Sequence, residues 1–75
     1  MPLVNVQVIE NVFTPEQKQE MITKLTDTLV GIEGEALRPY TVVVIDEVKE
    51  GNYSVGGQSL RARDVQRIQR QKAAA

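Results

Sequence analysis

The chain has 75 residues, of which 41% are hydrophobic and 25% charged, with a net charge of -1 and neither cysteine nor histidine. That composition excludes disulfide staples, the usual zinc sites and the Ser-His and Cys-His nucleophile pairs, and the near-neutral charge argues against wholesale nucleic-acid binding. A chain this short makes one small domain that buries only about 60% of its unfolded surface, so subunit association is the expected reinforcement.

Leu3 to Ile9 alternates, with Val4, Val6 and Val8 on one side and Leu3, Asn5, Gln7 and Ile9 on the other, the period-2 pattern of a strand. Thr14-Pro15-Glu16-Gln17 then predicts a helix start: the Thr14 hydroxyl caps, Pro15 suits the first helical position and Gln17 completes a capping box. Met21, Ile22, Leu25, Leu29 and Val30 supply the apolar stripe, and Gly31 and Gly34 are expected to end the helix. Thr41 to Ile45 is a continuous β-branched run, as expected of a strand buried on both faces. Strand, helix and strand in this order predict a right-handed β-α-β crossover with parallel strands. The turn-rich stretch Lys49 to Gly57 leaves only Tyr53 to Val55 able to extend, as one arm of a short hairpin. One helix cannot cover both faces of the strand pair, so an obligate oligomer is expected.

Charge divides the chain at about residue 60. Residues 1 to 60 carry four basic and nine acidic side chains, whereas residues 61 to 75 carry five basic and one acidic. The tail has helix-forming composition but only Leu60, Val65 and Ile68 for an apolar stripe. It is read as a helical or flexible appendage outside a 1–60 domain, packed on the surface or reaching across an acidic neighbouring subunit. A nucleic-acid arm is disfavoured by the lack of interleaved aromatics. No apolar run approaches the ~20 residues of a membrane span, and the amino terminus lacks the pattern of a secretory signal, so the default compartment is the cytoplasm.

Pro2 is the candidate for chemistry. Initiator methionine is ordinarily removed before a small residue, and the exposed proline would then carry a secondary amine. An α-amino group titrates near ~8, and burial or a nearby cation moves it towards the value of a general base at neutral pH. Retained methionine would leave an amide with no basic lone pair, and a proline at position 2 also begins a strand harmlessly.

The start Met-Pro-Leu-Val-Asn-Val, the segment Thr14-Pro-Glu-Gln-Lys18, the β-α-β order and the turn Gly51-Asn-Tyr-Ser-Val-Gly-Gly57 together resemble the tautomerase superfamily, specifically the short 4-oxalocrotonate tautomerase group, over about residues 2 to 60. The resemblance implies an α/β (α+β) β-α-β subunit with parallel strands and a short C-terminal hairpin. It also implies dimers with a four-stranded sheet, commonly a trimer of such dimers, with active sites at subunit contacts. Pro2 matches the catalytic proline that moves a proton between an enol oxygen and a carbon of an unsaturated keto acid. Tyr53 matches a pocket-lining aromatic, and Ile9 an apolar wall position.

Two departures stand beside the match. Val12 occupies the place of one substrate arginine after the first strand, and Val42 that of the second, at the start of the second strand. Bidentate arginine–carboxylate contacts are strong, so efficient turnover of the family's dicarboxylates is not expected. Arg38 is the nearest replacement cation, or else a solvated loop arginine; Arg61 and Arg63 are candidates if the tail folds back. Asn11 and Asn52 are carbonyl polarisers or turn formers, and Glu47 is a solvated acid or an acid/base partner.

The sequence therefore predicts a cofactor-free, metal-free tautomerase that uses Pro2 as general base on a small enol or 2-keto acid, with Tyr53, Ile9, Val12, Val42 and Arg38 shaping the pocket. It is expected to be a homohexamer with neither nucleic-acid nor membrane partners. Water addition or dehalogenation by the same proline is a related alternative. A non-catalytic assembly subunit or small-molecule binding module that has lost the arginines is the rival from another class.

Overall fold

A computed structural model describes residues 2–74, with side chains described for residues 2–71. The elements run β1 (Leu3–Ile9), α1 (Pro15–Glu33), a 3₁₀ helix (Glu35–Tyr40), β2 (Val42–Val48), β3 (Tyr53–Val55), β4 (Gln58–Leu60) and α2 (Ala62–Ala74). Strands β1 and β2 pair in parallel, since the Val42 N–H donates to the Pro2 carbonyl at 3.1 Å while the Glu10 N–H donates to the Val48 carbonyl at 2.8 Å. Among the described residues no helix is long and apolar enough to cross a membrane. The chain divides into two compact units, one gathering the chain up to Val6 with Phe13–Asp46, the other Gln7–Val12 with the chain from Glu47 onward.

In the first unit, the helix starts as the sequence dictates. The Thr14 hydroxyl accepts from the Gln17 N–H at 3.1 Å and the Gln17 side chain accepts from the Thr14 N–H at 2.9 Å, so two backbone donors at the helix end are satisfied. Thr14→Ala should lower stability by about 1 kcal/mol in denaturant unfolding, whereas Thr14→Ser should be nearly neutral.

Of the two glycines expected to end the helix, the second does so. Gly31 lies inside it, and the chain turns only at Gly34, whose φ of +107° suits glycine and whose N–H reaches the Val30 carbonyl at 2.8 Å. A 3₁₀ turn that the sequence did not announce follows. It is held by Leu37 N–H to the Gly34 carbonyl at 3.1 Å and by the Thr41 hydroxyl on the Leu37 carbonyl at 2.8 Å. Pro39 removes a donor there, which suits a short tight helix better than a continued α-helix.

Strand β2 extends three residues beyond Ile45, and its expected burial on both faces is not met within one chain. Val43, Val44 and Ile45 are half-buried and Val42 is 41% exposed. The apolar residues that are buried among those described are Ile9, Val30 and Ala62. Two strands and one crossover helix do not supply enough covering surface for the β-branched run.

In the second unit, β3 and β4 form an antiparallel hairpin in which Tyr53 faces Leu60, Ser54 faces Ser59 and Val55 faces Gln58. The two-residue turn is Gly56-Gly57, both with positive φ (+59° and +85°), the conformation that matches the right-handed twist of hairpin strands. Helix α2 starts with Asp64 accepting from the Arg61 N–H at 2.9 Å and pairing with Arg67 at 3.1 Å. Its apolar content is small: Ala62 is buried, Val65 half-buried and Ile68 exposed.

Candidate active site

Pro2 immediately precedes β1 and is half-buried. Its carbonyl accepts the Val42 N–H at 3.1 Å, so the parallel pairing brings two of the predicted site residues together and fixes the backbone next to the Pro2 nitrogen. Met1, whose removal would free that nitrogen as an amine, lies outside the described residues.

Arg38, in the same unit, is engaged by carboxylates. Its Nε donates to Glu35 Oε1 at 2.6 Å and its Nη1 to Asp27 Oδ1 at 2.9 Å. The guanidinium holds the Glu35 carboxyl below the usual carboxylate range, chiefly by that hydrogen bond, and its own protonated form is favoured by Glu35 and then Asp27. The groove along α1, about 430 Å³ and lined by Phe13, Gln17, Glu20, Met21, Lys24 and Leu25, contains none of the predicted site residues.

The second unit holds the other three. Ile9, the last residue of β1, is 5% exposed, Val12 is half-buried, and Tyr53 opens β3 with about a third of its surface exposed. Asn11, with φ at +70°, makes the turn after β1; asparagine tolerates that left-handed backbone. Its carbonyl accepts from Gln66 Nε2 at 3.3 Å.

Glu50 is the residue that sequence reasoning missed. One carboxylate oxygen accepts the Ala62 N–H at 2.7 Å, the other accepts Asn11 Nδ2 at 3.2 Å, and its own N–H donates to Glu10 Oε1 at 3.2 Å. The carboxylate thus caps the first turn of α2 and ties it to the turn after β1. No periodic spacing joins residues 11, 50 and 62, so nothing in the sequence pattern announced the cluster. The Ala62 N–H, then Asn11, then the charges of Arg61 and Arg63 hold the Glu50 carboxyl below its ordinary value. Its folded-state value is therefore below its unfolded one, and the anchoring is present above the unfolded value and lost as pH falls through the folded one. Glu50→Ala at neutral pH should reproduce that acid effect, with amide exchange in α2 accelerating while α1 keeps its protection.

The comparisons with known proteins follow the same architecture. The family described as "Tautomerase enzyme" matches residues 2–63. A probable tautomerase K2 of Dickeya dadantii is 40% identical over 63 residues, covering 84% of this chain and 92% of that protein. The structure of DmpI from Helicobacter pylori superposes with a TM-score of 0.67 at 34% identity, covering 79% of this chain and 95% of that one. A structure from work on the 4-oxalocrotonate tautomerase isozymes of Methylibium petroleiphilum gives a TM-score of 0.70 at 31% identity, covering 83% and 97%. The matched region takes in the parallel strand pair, the crossover helix and the hairpin, and the chain belongs to the tautomerase family.

Proposed function

We propose that the chain is a cofactor-independent tautomerase in which the Pro2 amine is the general base for a small enol or 2-keto acid. In its neutral form the pyrrolidine nitrogen takes the enol O–H proton, the oxygen closes to a carbonyl, and the former double-bond carbon receives the proton back from the ammonium. Every bond made is matched by one broken, so the amine alone carries the proton both ways. The observation that carries this reading is a half-buried Pro2 whose backbone is pinned by the Val42 N–H, in a chain of the tautomerase family. Partial burial favours the neutral amine over the ammonium. Val42 flanks Pro2, and the active unit is a homo-oligomer, a hexamer of three dimers, to whose pockets Ile9, Val12 and Tyr53 contribute apolar surface. The exposed Leu3, Val42, Tyr53 and Val55 support association.

A specific observation favours a second reading, a non-catalytic binding member of the family. Valine stands at positions 12 and 42, and Arg38 is occupied by Asp27 and Glu35. Intact mass of the purified protein, followed by ketonisation of phenylenolpyruvate, separates the two. Protein lacking Met1 that accelerates the reaction, and loses the acceleration when Pro2 is blocked, supports the amine mechanism. Protein lacking Met1 with the rate of buffer alone supports the binding role.

A further inference from the structure

We propose that α2 docks through its arginine face onto the acidic face of α1 in a second copy of the chain. Helix α2 carries Arg63, Arg67 and Arg70 at i, i+4 and i+7, so the helical period puts all three on one face, and all three are exposed. Helix α1 carries Glu16, Glu20 and Asp27 at i, i+4 and i+11, likewise on one face and exposed, with the exposed Thr23 at the i+7 place between them. The wider charge distribution has the same sense. The unit containing α2 carries six basic and four acidic residues, whereas the unit containing α1 carries three basic and six acidic.

Ion pairs inside the chain leave these stripes available. Arg67 pairs with Asp64 of its own helix, and Glu20 and Asp27 pair with Lys24 and Arg38, each pair within one unit. Solvent-facing pairs of this kind contribute little, so exchanging partners costs little. Among the described residues Glu16, Arg63 and Arg70 have no ion-pair partner. Arg63 adds to the field that holds Glu50 ionised, but both Glu50 oxygens are engaged by the Ala62 N–H and Asn11. That cap, with Gln66 Nε2 on the Asn11 carbonyl at 3.3 Å, anchors the first turns of α2 while its arginines stay exposed. Spacing selects the partner. Arg63 to Arg70 and Glu20 to Asp27 are both seven residues apart, so antiparallel helices set Arg63 opposite Asp27, Arg70 opposite Glu20 and Arg67 opposite Thr23. The parallel alignment of the same stretches would set Arg67 against Lys24 and bring like helix ends together. A bilayer or a single-stranded nucleic acid fits less well, because α2 exposes only Ile68 as a large apolar side chain and has no aromatic residue.

The test mixes two populations of the full chain, refolded together. One carries a nitroxide on Gln71→Cys, in a chain that has no other cysteine, and the other is ¹⁵N-labelled and bears no nitroxide. Paramagnetic broadening in the ¹⁵N population then reports contacts between copies alone. Amides of α1 should broaden, most strongly around Glu20, and the effect should vanish at 1 M salt, where the Debye length falls to about 3 Å. It should also vanish when the nitroxide chain carries Arg63→Gln, Arg67→Gln and Arg70→Gln. Arg70→Glu in the nitroxide chain should remove the broadening around Glu20, and Glu20→Arg in the ¹⁵N chain should restore it. Sedimentation of the same samples keeps this contact separate from the homo-oligomer proposed above. An oligomer that forms without broadening in α1 overturns the α2 contact and leaves that oligomer standing, whereas a sample that sediments as single chains overturns both. Broadening that survives salt and the three glutamine substitutions overturns the charge pairing. Shifts of α2 amides on adding an RNA duplex or phosphatidylserine vesicles, with no broadening in the mixed sample, overturn the second copy as the partner.

Discussion

One extra residue joined to the Pro2 nitrogen should lower phenylenolpyruvate ketonisation by about 10²–10⁴-fold, the usual contribution of a positioned general base. The addition turns the amine into an amide and leaves the proline ring, its carbonyl and the Val42 hydrogen bond in place. Pro2→Ala should be less severe, because alanine still presents a primary amine, although one without the ring that fixes its direction. An equal loss in both variants would point to damage at the start of β1 instead of loss of a base. The pH profile supplies an independent check. The neutral amine is the working form, so activity should fall as pH drops through its pKa, which starts near ~8 for a free α-amino group and is moved down by burial. A rate indifferent to pH across that range, or to the added residue, would remove Pro2 from the mechanism.

Local chemistry was legible in the sequence where neighbours in the chain determine the structure. Thr14 and Gln17 satisfy each other three residues apart, so the helix start could be read directly, and the turn-rich stretch Lys49 to Gly57 announced a hairpin with Tyr53 to Val55 extended, though not its turn at Gly56-Gly57 or its second strand. The helix end was not legible from glycine alone. Gly31 remains helical and Gly34 turns the chain, because the carbonyl of Val30 finds its donor at Gly34. Residues 35–40 carry no helical apolar period, so the 3₁₀ turn escaped notice. At the site, a proline at position 2 and a β-branched run from Val42 could be seen, but that Pro2 and Val42 share a hydrogen bond depends on strand register. The Arg38 pairing with Asp27 bridges eleven residues, and the Glu50 cluster joins residues about 12 and 40 apart. Such contacts are set by packing, for which a single sequence has no period.

If the chain forms the proposed homo-oligomer, Leu3→Asp should dissociate it and lower thermal stability together. Leu3 is 66% exposed in the single chain, and a substitution at such a surface position ordinarily changes stability by less than about 0.5 kcal/mol. A charge placed where two copies meet would instead lose its hydration without a partner, a penalty of several kcal/mol. Ile9→Ala provides the contrast. Ile9 is already 5% exposed within one chain, so its truncation should cost about 2–5 kcal/mol through lost packing, with the oligomer's concentration dependence retained. Melting temperature measured against protein concentration separates the two, since association stabilises by mass action and intrachain packing does not. Wild type and Ile9→Ala should melt higher as concentration rises, while Leu3→Asp should sediment as a smaller species with a melting temperature independent of concentration. If Leu3→Asp instead keeps the wild-type mass and stability, the exposed face of β1 is not an interface, and β1 does not contribute to assembly through that face.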